Sequence, residues 1–411
     1  MYIKLISYKD IRSFILLFTF VSNYRINTVY NCKQSIIYIC NMKFISISEL
    51  ERWYPHNFEK NLKGRQIVLS DIEPLIKNLS SKFDKKIIGY SENNLPIYKL
   101  AIGSGKTKIL TWSQMHGNES TGTKALFDLF LFFESDENKC KKITNQILSN
   151  CTLEFIVLLN PDGAINFTRE NARNIDLNRD AVAQKAVESK ILRSNLDNFN
   201  PQFCFNLHDQ RSIFNVEGTS NPATLSFLAP SEDIERTITK GRKETMSVIV
   251  IINDFLQQII PNQIGRYTDE FYPTATGDNF QKLGHNTILI EAGHFKNDYD
   301  REITRKFNFY ALLKGLFFIA TRTRFTNYKP YFKIPNNDKR FLDVIYKNVN
   351  SIRNNRPFIE DIGIQYKFKV QNNKLVKFKW VEQRGNLSTF HTYELINGEN
   401  LDIKDLKLSN S

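Results

Sequence analysis

Residues 109–134 read ILTWSQMHGNESTGTKALFDLFLFFE. Ile109 to Trp112 is a short apolar run that predicts a buried strand, and Ser120 to Glu134, rich in Leu, Phe and Ala, predicts a helix. The same alternation recurs outward along the chain. Leu153 to Leu159 is almost continuously apolar and ends at Asn160-Pro161-Asp162-Gly163, which is strong turn chemistry. Phe203 to Leu207 and Thr287 to Ile290 are two further runs. Buried runs that alternate with helices predict an α/β domain: a mixed, largely parallel sheet covered by helices on both faces.

The pattern changes after about residue 325. Residues 363–370 and 377–381 alternate apolar with polar at period two, and Asn372-Asn373 between them is a hairpin-turn candidate. Residues 326–357 therefore read as a connector and 358–411 as a small β-rich appendage. At the other end, residues 1–41 read as an extension. Ser13 to Val21 is an apolar run preceded by Lys4, Lys9 and Arg12, similar to a secretory signal but with no small-x-small cleavage site. It is too short to span a bilayer, which takes about 20 residues. A start at Met42 competes with this reading and is favoured, as is a cytoplasmic over a secreted location. The main domain then runs over 42–325, with Ser46 or Ser48 as the first helix cap.

Composition excludes several classes. Of 411 residues, 41% are hydrophobic and 24% charged, so neither wholesale disorder nor a collagen-like repeat is compatible with the chain. The five cysteines are too sparse for a disulfide scaffold, and none forms a C-x-x-C pair. The net charge of +13 is unevenly spread. Residues 1–42 hold five basic residues against one acid, and residues 326–411 hold fifteen against nine, which leaves only +3 for the middle. No zinc-finger, RRM-like or basic-zipper pattern accompanies that charge, so it reads as a solvated surface and no nucleic-acid partner is expected.

Three polar residues follow directly on predicted strands. His116 comes after the 109–112 run, His208 after Phe203–Leu207, and Glu291 after Thr287–Ile290. In open α/β sheets ligands bind beyond the carboxyl ends of the strands, so these three can meet in one crevice. His116 and Glu119, joined by His208, offer two nitrogens and a carboxylate, the donor set of a catalytic zinc with one position left for water. Arginines and asparagines cluster between Thr168 and Asp180, as recognition of a substrate carboxylate requires. Other candidates carry less. Gly103-Ser-Gly105-Lys106-Thr107 resembles the end of a P-loop, but the first glycine would fall on Leu100. His285 and His294 read as structural or as supports around the site, and Cys204 as inert core.

Taken in order, His116-x-x-Glu119, Asn160-Pro-Asp-Gly163, Asp176-Leu-Asn178-Arg179, His208 and Glu291 resemble the motifs of zinc metallocarboxypeptidases of the carboxypeptidase A type. The resemblance covers about 90–320 and is nearest to bacterial members. It implies a metallocarboxypeptidase-like fold and one zinc ion per chain, held by His116, Glu119 and His208. Glu291 would be the general base and Arg169 would polarise the scissile carbonyl, with Arg173 as a competitor. Asn178 and Arg179 would hold the substrate's terminal carboxylate. Tyr272 is similar to the family's mobile tyrosine, with Tyr267 as a competitor. Asp180-Ala181 departs from the Asn-Phe of digestive members, which leaves side-chain preference open. Asp278, between Tyr272 and Glu291, is either an acid that lines a pocket for basic residues or a turn cap. The implied activity is hydrolysis of a peptide amide that releases a C-terminal residue. Deacylation of N-acyl amino acids, cleavage of cell-wall diamino-acid peptides, and a catalytically dead peptide-binding module are the alternatives.

Overall fold

The computed structural model describes residues 43–353, 356–406 and 408, so the apolar run at Ser13–Val21 and the choice between Met1 and Met42 lie outside the described residues. The first described helix, Ile47–Asn57, starts with a capping box. Ser46 Oγ accepts the Glu49 N–H, and the Glu49 carboxylate accepts the Ser46 N–H. Trp53 of this helix packs on Phe132, and Tyr54 on Phe309.

The main sheet has eight strands among the described residues: β1 (Asp84–Tyr90), β2 (Pro96–Ile102), β3 (Thr107–Ser113), β4 (Cys151–Ile156), β5 (Phe203–Asp209), β6 (Leu225–Leu228), β7 (Ile264–Arg266) and β8 (Asn286–Ala292). Their spatial order is β1-β2-β4-β3-β5-β8-β6-β7. The central four, β4-β3-β5-β8, are all parallel, while β1, β2 and β6 meet their inner neighbours antiparallel. The predicted mixed, largely parallel sheet is thus what the chain forms. One face is covered by the Thr121–Glu134, Lys240–Leu256 and Glu302–Thr321 helices, which pack on one another. The other face buries Leu110, Trp112, Ile156 and Cys204 under Leu192 and Leu196 of the Val187–Phe199 helix and Phe280 of the Thr276–Lys282 helix. Both faces of the central strands are buried, so these strands read as largely apolar runs.

Two buried cations tie the first face together. Arg305 and Asp128, both fully buried, form a bidentate pair at 2.6 and 2.7 Å, which Tyr54 joins through its hydroxyl. Lys124, also fully buried, donates to the Gly64 and Asp300 carbonyls and to Glu302. It thereby fixes the 63–66 loop to the start of the last helix.

Four strands at the C-terminus form their own sheet: Val344–Arg353, Arg356–Gln371, Lys374–Gly385 and Leu395–Asn397. The expected hairpin turn is present, with Asn372 at φ 52° and Asn373 at φ 58°, the left-handed pair of a type I′ turn. The strand Val344–Arg353, however, lies within the stretch read as a connector. A bulge between Tyr346 and Val349, with Asn348 at φ 58°, breaks its period-two alternation and hides it from pattern reading. This sheet packs on the main sheet's loops. Ser212 Oγ bonds Asp343 and Gln365, Arg211 pairs with Glu382 at 2.7 Å, and Phe167 meets Phe368.

Candidate active site

The loop that carries His116 is braced from several sides. Gln114 adopts φ 51°, and its side-chain amide donates to the Ile67 and Gly117 carbonyls while its oxygen accepts from Thr123. Asn160-Pro-Asp-Gly163 is not a free turn here; it opens the short helix Pro161–Asn166, with Asn160 Oδ1 accepting the Gly163 N–H as its cap. Asn160 also donates to the Met115 carbonyl, so this motif holds the histidine loop. Gly117 lies so close to the Gly163 backbone that a Cβ would collide with it.

His116, Glu119 and His208 come together, with their donor atoms all within 4.8 Å of one another. His116 Nδ1 is 2.9 Å from Glu119 Oε1 and 3.1 Å from His208 Nδ1, and His208 Nδ1 is 2.8 Å from Glu119 Oε2. Two contacts assign the proton on His116. Its Nε2 lies 3.0 Å from the Asp176 carboxylate and its Nδ1 lies 3.1 Å from Arg169 Nη1. A carboxylate only accepts and a guanidinium only donates, so Nε2 carries the proton and Nδ1 faces the cluster with a lone pair. An acceptor nitrogen and an acceptor oxygen 2.9 Å apart repel unless a cation sits between them. Ligand atoms around a tetrahedral zinc are about 3.3 Å apart at bond lengths of about 2.0–2.1 Å, close to these spacings. The residues therefore fit the metal.

The electrostatics agree. Burial lowers the His116 pKa, but Glu119 and Asp176 more than offset this and raise it, so the site favours positive charge. Burial lowers that of His208. Glu119, although buried, is held well below the carboxylate range by the two imidazoles. Glu291 behaves oppositely: burial, then Glu119 and Asp209, push it well above the usual range.

Sheet register places Glu291. It pairs directly with His208 across β5 and β8, so both side chains leave the same face at the same level. Its Oε2 is buried with no hydrogen-bond partner. Glu119, Arg169 and Glu291 line one cavity of about 590 Å³, together with Tyr267 and His294. Arg169 also bonds Asp176 at 3.0 Å through Nε. Asp176 was missed as a site residue, although it opens the same Asp-Leu-Asn-Arg run; its signal was there to be used.

The remaining sequence candidates divide. Tyr267 is half-buried in the cavity wall, whereas Tyr272 lies outside the cavity, half exposed, with its hydroxyl on Glu270 and its ring 5.8 Å from the Arg179 guanidinium. Arg179 is exposed, and among the described residues no carboxylate lies within ion-pair distance of it. Asn178 is buried and accepts the Thr276 N–H. Asp278 does not line the cavity; it accepts the Tyr272 N–H, which closes the 272–278 loop, and burial raises its pKa to about 6. Arg173 turns outward to Glu92 and the Lys185 carbonyl. His285 bonds the Pro201 carbonyl, and His294 packs among Tyr299, Phe341 and Tyr393, both structural settings.

Comparison with known proteins covers the stretch that holds His116, Glu119 and His208. Residues 70–259 match the zinc carboxypeptidase family model. Carboxypeptidase SOL1 of Arabidopsis thaliana is 24% identical over 192 residues, 41% of this chain and 39% of the relative. The match thus spans about two fifths of that relative's length. A metallo-carboxypeptidase from Burkholderia cenocepacia aligns over 60% of this chain and 67% of its own at 16% identity and a TM-score of 0.49. Carboxypeptidase A from Helicoverpa armigera aligns over 62% and 73% at 12% identity, with the same score.

Proposed function

We propose, for a chain whose residues 70–259 match the zinc carboxypeptidase family model, that it hydrolyses the last peptide bond of a substrate and releases the C-terminal residue. The observation that carries this reading is the placement of Glu291: a half-buried residue in register with His208, lining the same cavity as Glu119, with one buried oxygen unpartnered. The family match ends before residue 291, so this support is independent of it.

His116, Glu119 and His208 would hold one zinc ion, which when bound lowers the pKa of its water and polarises a carbonyl. Glu291 takes the proton from the attacking water and returns it to the leaving amine. Burial raises its proton affinity, and that is the direction such a shuttle needs near neutral pH. Arg169, with Nη1 beside the cluster, donates to the oxygen on which negative charge develops, a contact worth about 10² to 10³ in rate. Arg179 receives the substrate's terminal carboxylate, supported by Asn178 and by Tyr272 above it.

The test is digestion of a peptide library by the zinc-loaded chain, read by mass spectrometry, with free and C-terminally amidated sets in parallel. Loss of single C-terminal residues from the free set alone is the expected result. Cleavage of acyl-amino acids without cleavage of peptides would overturn the reading.

A further inference from the structure

The far side of the cavity is built from Gln365, Tyr366, Lys367 and Phe368, all on the C-terminal strand Arg356–Gln371. The lining carries five cations, Arg65, Arg169, Arg211, Arg301 and Lys367, against three carboxylates, Glu119, Asp209 and Glu291. Two of these cations are already engaged. Arg301 directs its terminal nitrogens to the Ala292 and Gln210 carbonyls, and Arg211 pairs with Glu382 at 2.7 Å. Arg169 belongs to the reaction centre. Arg65 and Lys367 remain.

Neither has a carboxylate within hydrogen-bond distance among the described residues. Arg65 has only a 3.8 Å approach to Asp209, and its Nε is buried without a hydrogen-bond partner. Its guanidinium lies 5.4 Å from the Phe368 ring centre. Lys367 Nζ sits 3.6 Å from the Trp380 ring centre, with no ion pair among the described residues. Arg65 is also held in place before any ligand arrives: its carbonyl accepts Ser120 Oγ at 2.5 Å, the next residue, Gln66, bonds the Ala164 and Ile165 carbonyls, and Lys124 grips Gly64. Preorganised, incompletely paired cations beside a reaction centre are an anion subsite.

The side of the substrate follows from Arg179, which does not line this cavity. If Arg179 takes the terminal carboxylate, the cavity lies toward the amino side of the scissile bond. We propose that Arg65 and Lys367 bind an acidic side chain in the two residues preceding the one released, so that the chain selects peptides with Glu or Asp there. This rests on the C-terminal-release reading above.

The experiment is calorimetric titration of the zinc-loaded chain carrying Glu291→Gln, which stops turnover. Two peptides with the same C-terminal residue are compared, one with Glu-Glu before it and one with Gln-Gln. The acidic peptide should bind at least about tenfold more tightly at low salt, the scale of one charge-assisted hydrogen bond, and added salt should narrow the gap. Adding Arg65→Gln and Lys367→Gln should reduce the preference to about twofold or less, and Lys367→Glu alone should shift it toward a Lys-Lys peptide. Equal affinity for the two peptides, or a preference that survives both neutralisations, would overturn the subsite. Failure of the wild-type chain to cleave either peptide would instead overturn C-terminal release, while the titration still reports on Arg65 and Lys367.

Discussion

His116 Nε2 lies 3.0 Å from Asp176 Oδ1, and this contact decides which nitrogen of His116 is free to bind a metal. Asp176 itself is half-buried and held below the usual carboxylate range, against the effect of burial, by His116 and Arg169. It stays charged and keeps the imidazole proton on Nε2. Asp176→Ala should therefore weaken zinc affinity about 10–100-fold, the usual cost of losing such a partner. Chelator competition measures this; unchanged affinity would mean that the ring is oriented by other contacts.

Removing the proton acceptor should separate chemistry from metal binding. In Glu291→Gln the three donor residues are untouched, so zinc stoichiometry should hold while kcat falls by about 10² to 10⁴. Elemental analysis beside steady-state kinetics tests both halves. Near-normal turnover would remove Glu291 from its assigned role.

Arg179 should reveal itself by non-additivity. Arg179→Ala and amidation of the substrate's carboxyl end each delete the same ion pair, so either alone should raise KM by a similar factor and the combination by little more. Multiplicative effects in the double cycle would place the carboxylate elsewhere.

His294 should contribute to acid sensitivity. Burial, and then the charges of Arg301 and Arg65, push its pKa down to about 3, against about 6.5 in the unfolded chain. The folded state keeps it neutral, so its contribution is complete above pH 6.5 and is lost progressively as pH falls toward 3. Between pH 7.5 and 5.0 the wild type should lose about 2 kcal/mol more than His294→Gln in urea unfolding. Parallel losses in the two proteins would contradict a neutral buried His294.

The central sheet was legible because both its faces are buried, which leaves strands such as Phe203–Leu207 apolar but for Asn206. The residues of the His116–Glu119–His208 cluster stood out because His208 directly follows such a run and His116 and Glu119 lie in the loop after another. Long-range pairing was not. That His208 and Glu291 are register partners depends on how β5 and β8 align, and that Arg65 meets Phe368 depends on a packing of segments some three hundred residues apart. Tyr272 and Tyr267 could not be ranked for the same reason, since only the folded 264–276 loop turns one into the cavity and the other out. Lys124 and Asp128 sit in a helix that reads as plain apolar core, and their partners, Gly64, Glu302 and Arg305, lie far away in the chain.

The cavity wall at Gln365–Phe368 comes late in the sequence, whereas the His116–Glu119–His208 cluster is complete by residue 208. Synthesis proceeds from the N-terminus, and domains assemble in that order. A nascent chain that has emerged only as far as the last helix of the main sheet already contains every metal donor and Glu291, but its cleft is open on one side. A polypeptide cut before Val344 would be in the same condition. On the proposed reading, the residues up to the Glu302–Thr321 helix carry the chemistry and the later Val344–Gln371 strands carry the selectivity.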